Sequence, residues 1–365
     1  MKNLYLIIFL TLISPLLTNI VLAQCDDVTL ESLTNPGPFE VETLTEEDGI
    51  RDGPSYLGAT IYYPTNATPP FSSIAIVPGF VSLPSSVQDW GPFYASHGIV
   101  TIIIGTNNLF DFPEARANAL LDALETIRQE NTRATSPLEG ALNLDQLAVS
   151  GWSMGGGGAQ RAAVLDNRIA GVVALCPWLN SPQLDHQSPV LIFSGENDPT
   201  APASQHADVH YTLTPTTTEK VVFESDNGSH SVANTPTGGS GAVGQIALSW
   251  LKLYVEQNDC YCSLLTDNLL VDSPVASKVE QDFECESLEI NEQQLAIGFY
   301  PNPTKNIVNF KIIQDVKFKL ISPLGQLVLE GNLTGENKQI DLSRFSASVY
   351  YLYVEGQVIK LIKYD

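Results

Sequence analysis

LDQLAVSGWSMGGGG, residues 144–158, runs a short apolar stretch straight into a serine hemmed by glycines. The stretch reads as a strand, and AQRAAVL (159–165) after it reads as a helix. A serine hydroxyl is a poor nucleophile unless its oxygen is exposed and held beside a base. It also needs backbone N–H groups placed to receive the negative charge of a tetrahedral intermediate. A tight strand-to-helix turn meets these requirements together. Its strained dihedrals and close packing demand small residues two before and two after the serine, and these are Gly151 and Gly155. GWSMG therefore reads as a G-x-S-x-G nucleophile elbow with Ser153 at its tip, and not as a glycine-rich connector with an incidental serine.

The surroundings repeat one theme. LGATIYYP (57–64), SSIAIVPGF (72–80), GIVTIIIG (98–105), AGVVALCPW (170–178), PVLIFSGEND (189–198) and KVVFES (220–225) are short β-rich runs, several of them apolar almost throughout. Strands covered by helices on both faces have that composition. PEARANALLDALETIRQE (113–130) and GAVGQIALSWLKLYVEQ (241–257) carry apolar residues three and four apart, as helices lying on a sheet do. The pattern predicts a mostly parallel three-layer α/β sandwich.

In such a fold the elbow serine is followed by an acid and then a histidine, each beyond a later strand. Asp198 ends PVLIFSGEND and His230 ends KVVFESDNGSH, so Ser153, Asp198 and His230 form the expected triad. Asp226, in the loop before His230, is the main rival for the acid. Asp185 precedes its strand, Asp208 and His210 lie in a polar segment, and His97 reads as a surface residue entering a strand. His230 would take the serine proton, and Asp198 would fix its tautomer and stabilise the imidazolium. The N–H groups of Met154 and of Phe80, in VPGF, are the expected oxyanion donors. This chemistry calls for no metal and no cofactor.

Thirteen residues, CPWLNSPQLDHQS (176–188), separate the strand after the elbow helix from the next. They are too few for a helical lid, which predicts an open surface groove able to admit a polymer chain. Trp178 stands at a strand end where its ring could lie against an aromatic acyl group, whereas Trp152, next to the serine, is expected to pack.

The whole chain has 365 residues, 44% hydrophobic and 16% charged, enough for one large domain and one small one. A formal charge of -23 argues against nucleic acid or anionic membrane as partner. MKNLYLIIFLTLISPLLTNIVLAQ (1–24) reads as a cleaved export signal; Ser14, Pro15, Thr18 and Asn19 interrupt it too often for a retained anchor. An exported chain meets oxidising conditions. Cys176, in an apolar strand, reads as a buried free thiol. A direct Cys260–Cys262 bond would strain its loop, which leaves two schemes: Cys25 with one member of CYC, and Cys285 with the other. The polar, acidic stretch 263–294 reads in its later part as tail and linker. Beyond it IVNFKI, FKLIS, QLVLEGNL, VYYLYVE and VIKLIKYD, split by Gly, Asn and Pro, predict a small antiparallel β-sandwich. The expected organisation is signal peptide 1–24, catalytic domain 25–285, linker 286–296 and β-sandwich 297–365.

GWSMGGGGA, VPGF, CPW, ENDPTAP (196–202) and GSHSVAN (228–234) together resemble the bacterial cutinase-like polyester hydrolases, the group that includes poly(ethylene terephthalate) hydrolases, over residues 30–285. The resemblance implies an α/β-hydrolase without a lid. It would be a secreted serine esterase acting through an acyl-enzyme on cutin-like or aromatic polyesters and on short-chain esters. A lipase or general carboxylesterase of the same fold, and a binding protein on an inactive scaffold, are the alternatives. Carried over by motif, Ser153, Asp198 and His230 match the triad and Phe80 and Met154 the oxyanion hole. Trp178 matches a mobile ring, and Thr200 a hydrophobic position beside the acid. Phe80 stands where many members have tyrosine. His206 and His210 lie behind Trp178, where a larger residue is expected to restrict the ring's swing. FYPNPTKNIVNF (299–310), LISPLGQLVLEGNL (320–333) and the segment from Ile340 to Asp365 resemble the sorting domain of type IX secretion, which implies that machinery as a partner and release to the medium or the cell surface. A carbohydrate- or polymer-binding sandwich is the rival there, and no aromatic platform on an alternating face supports it. A monomer is expected.

Overall fold

The computed structural model describes residues 25, 27–180, 182–285, 298–312, 315–323, 325–354 and 357–365, in two units that divide after Cys285. The export signal at 1–24 and the linker at 286–296 lie outside the described residues.

The first unit is built on one sheet. Its strands are β1 (Val41–Thr45), β2 (Tyr56–Pro64), β3 (Phe71–Val77), β4 (Val100–Thr106), β5 (Leu142–Trp152), β6 (Gly171–Leu175), β7 (Val190–Gly195), β8 (Lys220–Ser225) and β9 (Ala276–Asp282). Their spatial order is β1-β2-β4-β3-β5-β6-β7-β8-β9. The run from β4 through β8 is parallel, and β1, β2 and β9 are antiparallel additions at the two edges.

The apolar runs of the central strands alternate between two cores, as the two-residue period of a strand requires. Ile74, Ile76, Val173, Leu175, Leu191 and Phe193 face one side, against α1 (Trp90–Ala95) and the helix Ala242–Tyr254, whose Trp90, Phe93, Ile246 and Trp250 are buried there. Ala75, Val77, Val172, Ala174, Val190 and Ile192 face the other, against Leu120, Leu124 and Ile127 of α2 (Pro113–Glu130) and Ala159 and Ala162 of α3 (Met154–Leu165). Each central strand is thus covered twice, and polar residues are confined to its ends. The loops at the C-terminal strand ends are left free to carry chemistry.

Two sequence expectations need correction, and one left open is decided. Residues 276–282 are not tail: β9 pairs antiparallel with β8 along Lys220↔Asp282 to Ser225↔Ala276. Leu264, Leu265, Leu269 and Leu270, earlier in the same polar stretch, are buried. An edge strand buries little, so ASKVEQD never needed the apolar pattern by which strands are read. His97 is not a surface residue; it is 7% exposed, and its Nε2 lies 2.8 Å from the Thr34 carbonyl oxygen. Of the two disulfide schemes the structure has Cys25–Cys260 and Cys262–Cys285, which tie the N-terminal segment and the end of β9's extension to one short helix. Cys176 is a buried free thiol whose pKa burial pushes well up.

The buried histidines give stability a pH dependence. Desolvation lowers the pKa values of His97 and His206, takes His186 down to about 4 and takes His210, with a smaller contribution from His206, down to about 3. In the unfolded chain each binds its proton near the ordinary value of about 6.5. Between those values the unfolded state therefore holds more protons, and stability falls as pH drops below about 6.5. His210 alone should cost on the order of 3 kcal/mol by pH 4. Calorimetric Tm measured from pH 7.5 to 4.5 should decline, and the decline should be shallower in His210→Leu. Parallel curves for the two proteins would contradict the assignment.

The second unit contains two antiparallel sheets. β10 (Gly298–Tyr300), β11 (Ile307–Lys311) and β14 (Gln339–Asp341) form one; β13 (Leu327–Leu333), β12 (Val316–Ile321), β15 (Ser348–Val354) and β16 (Gln357–Lys363) form the other. Val308, Phe310, Phe318, Leu320, Leu352 and Leu361 share its core. These sheets match the small β-sandwich read from alternation in the sequence.

Candidate active site

Strand β5 ends in the elbow. Ser153 has φ 57° and ψ −120°, a conformation that an L-residue holds only when its surroundings impose it. The surroundings do so through hydrogen bonds: the Ser153 N–H donates to the Leu175 carbonyl at 2.9 Å, and its own carbonyl accepts from the N–H groups of Trp178 (2.8 Å) and Gly157 (3.1 Å). Steric closeness does the rest. A Cβ on Gly151 would lie 2.4 Å from the Gly155 backbone, and one on Gly155 would lie 2.4 Å from the Val77 carbonyl oxygen. Only hydrogen fits at either position, which is the physical content of the motif.

The loop after β7 carries Asp198 and the loop after β8 carries His230. The Asn197 N–H donates to the Gly228 carbonyl (2.8 Å) and the Glu196 N–H to the Ser225 carbonyl (3.1 Å), so the two loops hold each other. Across them runs one hydrogen-bonded chain. Ser153 Oγ is 2.9 Å from His230 Nε2, and His230 Nδ1 is 2.7 Å from Asp198 Oδ2. Asp198 is 4% exposed, and its second oxygen accepts the N–H groups of Thr200 (2.8 Å) and Ala201 (2.9 Å). Burial pushes the Asp198 pKa up. The hydrogen bond from His230 and the two N–H groups outweigh that and hold it below the ordinary carboxylate value, so the group is ionised at neutral pH. Asp226, the rival acid, is exposed; its backbone N–H bonds the Val275 carbonyl and it makes no hydrogen bond to His230.

Trp152 does more than pack. Its Nε1–H donates to the His230 carbonyl at 2.8 Å and its ring lies 5.1 Å from the imidazole, so the residue before the serine also seats the histidine. The segment Pro78–Gly79–Phe80 passes the serine closely, since a Cβ on Gly79 would lie 3.0 Å from Ser153 Cβ. Met154 opens α3, and its N–H has no acceptor within that helix. The Phe80 N–H meets no acceptor among the described residues.

A residue the sequence reading passed over fixes that segment. Arg116 is fully buried, and its guanidinium donates to the carbonyls of Pro78 (2.8 Å), Asp111 (3.0 Å) and Leu109 (3.2 Å). Burial lowers its pKa to about 10, leaving it charged at neutral pH. The signal was present: Arg116 falls on the same face of α2 as Leu120, Ala123 and Ile127, where a charge must be paired or bonded to persist.

Residues 176–189 connect β6 to β7 without a helix or strand among the described residues, so no lid covers the serine. Trp178 is half-buried, its ring 5.7 Å from that of His206, which in turn lies 6.0 Å from His210. Gln160 bonds His210 Nδ1 from below at 3.1 Å. The Thr200 side chain is exposed beside the acid.

Comparison with known proteins identifies the family of each unit. The model of the PET hydrolase-like family matches residues 23–284, and that of the secretion system C-terminal sorting domain matches residues 298–363. Cutinase est1 of Thermobifida alba is 36% identical over 231 residues, 63% of this chain and 75% of its own. Cutinase 2 of Thermobifida cellulosilytica is 34% identical over 66% of this chain and 87% of its own. The bis(hydroxyethyl) terephthalate hydrolase of Streptomyces coelicolor is 32% identical over 62% and 70%. The C-terminal sorting domain marks the protein for secretion or for the cell surface. The chain belongs to the PET hydrolase-like family of carboxylic ester hydrolases.

Proposed function

We propose that this protein hydrolyses the ester bonds of polyesters, cutin-like or aromatic, and of short-chain esters through an acyl-enzyme on Ser153. The observation that carries the reading is the unbroken chain from Ser153 Oγ through both nitrogens of His230 to Asp198, with spacings of 2.9 and 2.7 Å.

The Ser153 oxygen attacks the ester carbonyl carbon while His230 Nε2 takes its proton, and Asp198 stabilises the imidazolium. The negative charge on the former carbonyl oxygen is met by the N–H groups of Met154 and Phe80. Collapse breaks the bond to the alcohol, which leaves with the proton from His230. A water molecule, deprotonated by the same nitrogen, then attacks the acyl-enzyme and releases the acid. Arg116 holds the carbonyl two residues before Phe80, so the oxyanion loop is fixed before substrate arrives. Trp178, Phe80 and Thr200 line the groove, and the absence of a lid among the described residues lets a chain longer than the site lie across it.

Catalysis is assigned to residues 25–285, and 297–365 serve export by type IX secretion. Incubation of the purified protein with tributyrin and with amorphous aromatic polyester film, followed by assay of released acids, should give products from both. Tributyrin hydrolysis alone would reduce the reading to a general carboxylesterase, and hydrolysis of neither would overturn it.

A further inference from the structure

The edge of the sheet that carries Ser153 is charged with one sign. Residues 78–89, 107–112, 176–180, 196–206 and 226–241 follow the C-terminal ends of β3, β4, β6, β7 and β8, and they contain Asp89, Asp111, Glu196, Asp198 and Asp226 but no lysine or arginine. Asp198 belongs to the triad. Of the other four, Asp89, Glu196 and Asp226 are exposed and Asp111 is half-buried, and none makes an ion pair among the described residues. Arg116, which reaches these segments, is fully buried and committed to three carbonyls, and Arg161 is taken by Glu114.

Three of these carboxylates are held in place by backbone or side-chain donors of the same loops. The Asn227 N–H donates to Glu196 Oε2 (2.9 Å) and the Asn227 side-chain amide to Asp226 Oδ2 (2.9 Å), while Asp111 Oδ2 accepts the Asn108 N–H (3.2 Å). Glu196 stands two residues before Asp198 and Asp226 four before His230, so the loops that bring the acid and the base to Ser153 also bring fixed negative charge. Fixed charges of one sign around a site change the encounter rate of a charged ligand by about tenfold to a thousandfold, and salt removes the effect.

We propose that Asp89, Asp111, Glu196 and Asp226 select the substrates of Ser153 by charge: uncharged esters enter, esters carrying a quaternary ammonium are favoured, and esters carrying a free carboxylate are turned away. This rests on the ester-hydrolase reading of Ser153. A carboxylate is recognised by a lysine or an arginine able to pair with it, and these segments offer neither, so its desolvation there would go uncompensated. A cation meets the opposite situation. Besides the four carboxylates, the half-buried Trp178 and the 41% exposed Phe80 add aromatic rings at the same edge, and a ring face attracts a cation.

The test measures kcat/KM of the full protein for three nitrophenyl esters of equal acyl chain length, ending in a methyl, a carboxylate and a trimethylammonium group. At about 20 mM salt the carboxylate ester should fall about tenfold below the uncharged one, and the cationic ester should lie above it; at about 500 mM the three should converge to within about twofold. The isosteric variant Asp89→Asn/Asp111→Asn/Glu196→Gln/Asp226→Asn should show the converged values already at low salt, with the uncharged ester unchanged. Equal values for the three esters at low salt, or an order that salt leaves unaltered, would overturn the proposal even where the uncharged ester is cleaved. An order that yields to salt but not to the variant would overturn the assignment to these four residues. Hydrolysis of none of the three by the unaltered protein would overturn the catalytic reading and the charge selection with it.

Discussion

Ser153→Ala is expected to lower kcat/KM for a short-chain nitrophenyl ester by about a thousandfold or more. The substitution removes one oxygen and leaves the elbow intact, because the strained backbone is held by the Leu175, Trp178 and Gly157 bonds and not by the hydroxyl. The variant should therefore fold with an unaltered Tm. What activity remains would come from the N–H groups of Met154 and Phe80 and from substrate binding, which act without the nucleophile. Stopped assays with purified variant, compared with the spontaneous rate, measure it. A loss of less than about tenfold would mean that another group attacks the ester.

The second large effect separates the two candidate acids. Asp198→Asn should reduce kcat by about ten-thousandfold, while Asp226→Asn should leave it within about twofold. The asparagine fits the same space, and its carbonyl can still accept the Thr200 and Ala201 N–H groups. Its amide nitrogen then faces His230 Nδ1, at 2.7 Å in the native pair. An amide donor there makes Nδ1 the acceptor and forces the proton onto Nε2, where it points at Ser153 and cannot receive a proton. Catalysis would fail through the wrong tautomer, with the fold intact. Asp226 has no such contact, so its charge can be removed without touching the histidine. Steady-state kinetics of both variants decide the assignment, and the reverse pattern would move the acid to Asp226.

These two residues illustrate what a sequence can and cannot carry. Asp198 and His230 were legible because the central strands are largely apolar, so the polar loops that begin beyond β7 and β8, and carry these two residues, stand out. The elbow was legible because Gly151 and Gly155 occupy positions where a methyl group would meet backbone at 2.4 Å. β9 was hidden for the opposite reason, since an edge strand covers little and its sequence is free to be polar. Arg116 was hidden inside an amphipathic helix pattern to which it contributes a charge on the apolar side. Its three carbonyl partners lie in two loops that only the folded chain brings together. Pairing of Cys25 with Cys260 and of Cys262 with Cys285 depends on which way each cysteine of one short helix faces, and a spacing of two residues does not contain that.

The role of Ser153 as the acylated nucleophile can be measured directly with a nitrophenyl phosphonate, which forms a serine-oxygen-to-phosphorus bond and expels nitrophenolate. Intact-mass and peptide mass spectrometry should find one phosphonyl group per chain, on the peptide containing Ser153, with nitrophenolate released one for one, esterase activity lost in proportion, and no adduct in Ser153→Ala. An inactivated protein whose adduct lies on another residue, or full esterase activity in a chain already modified at Ser153, would contradict it.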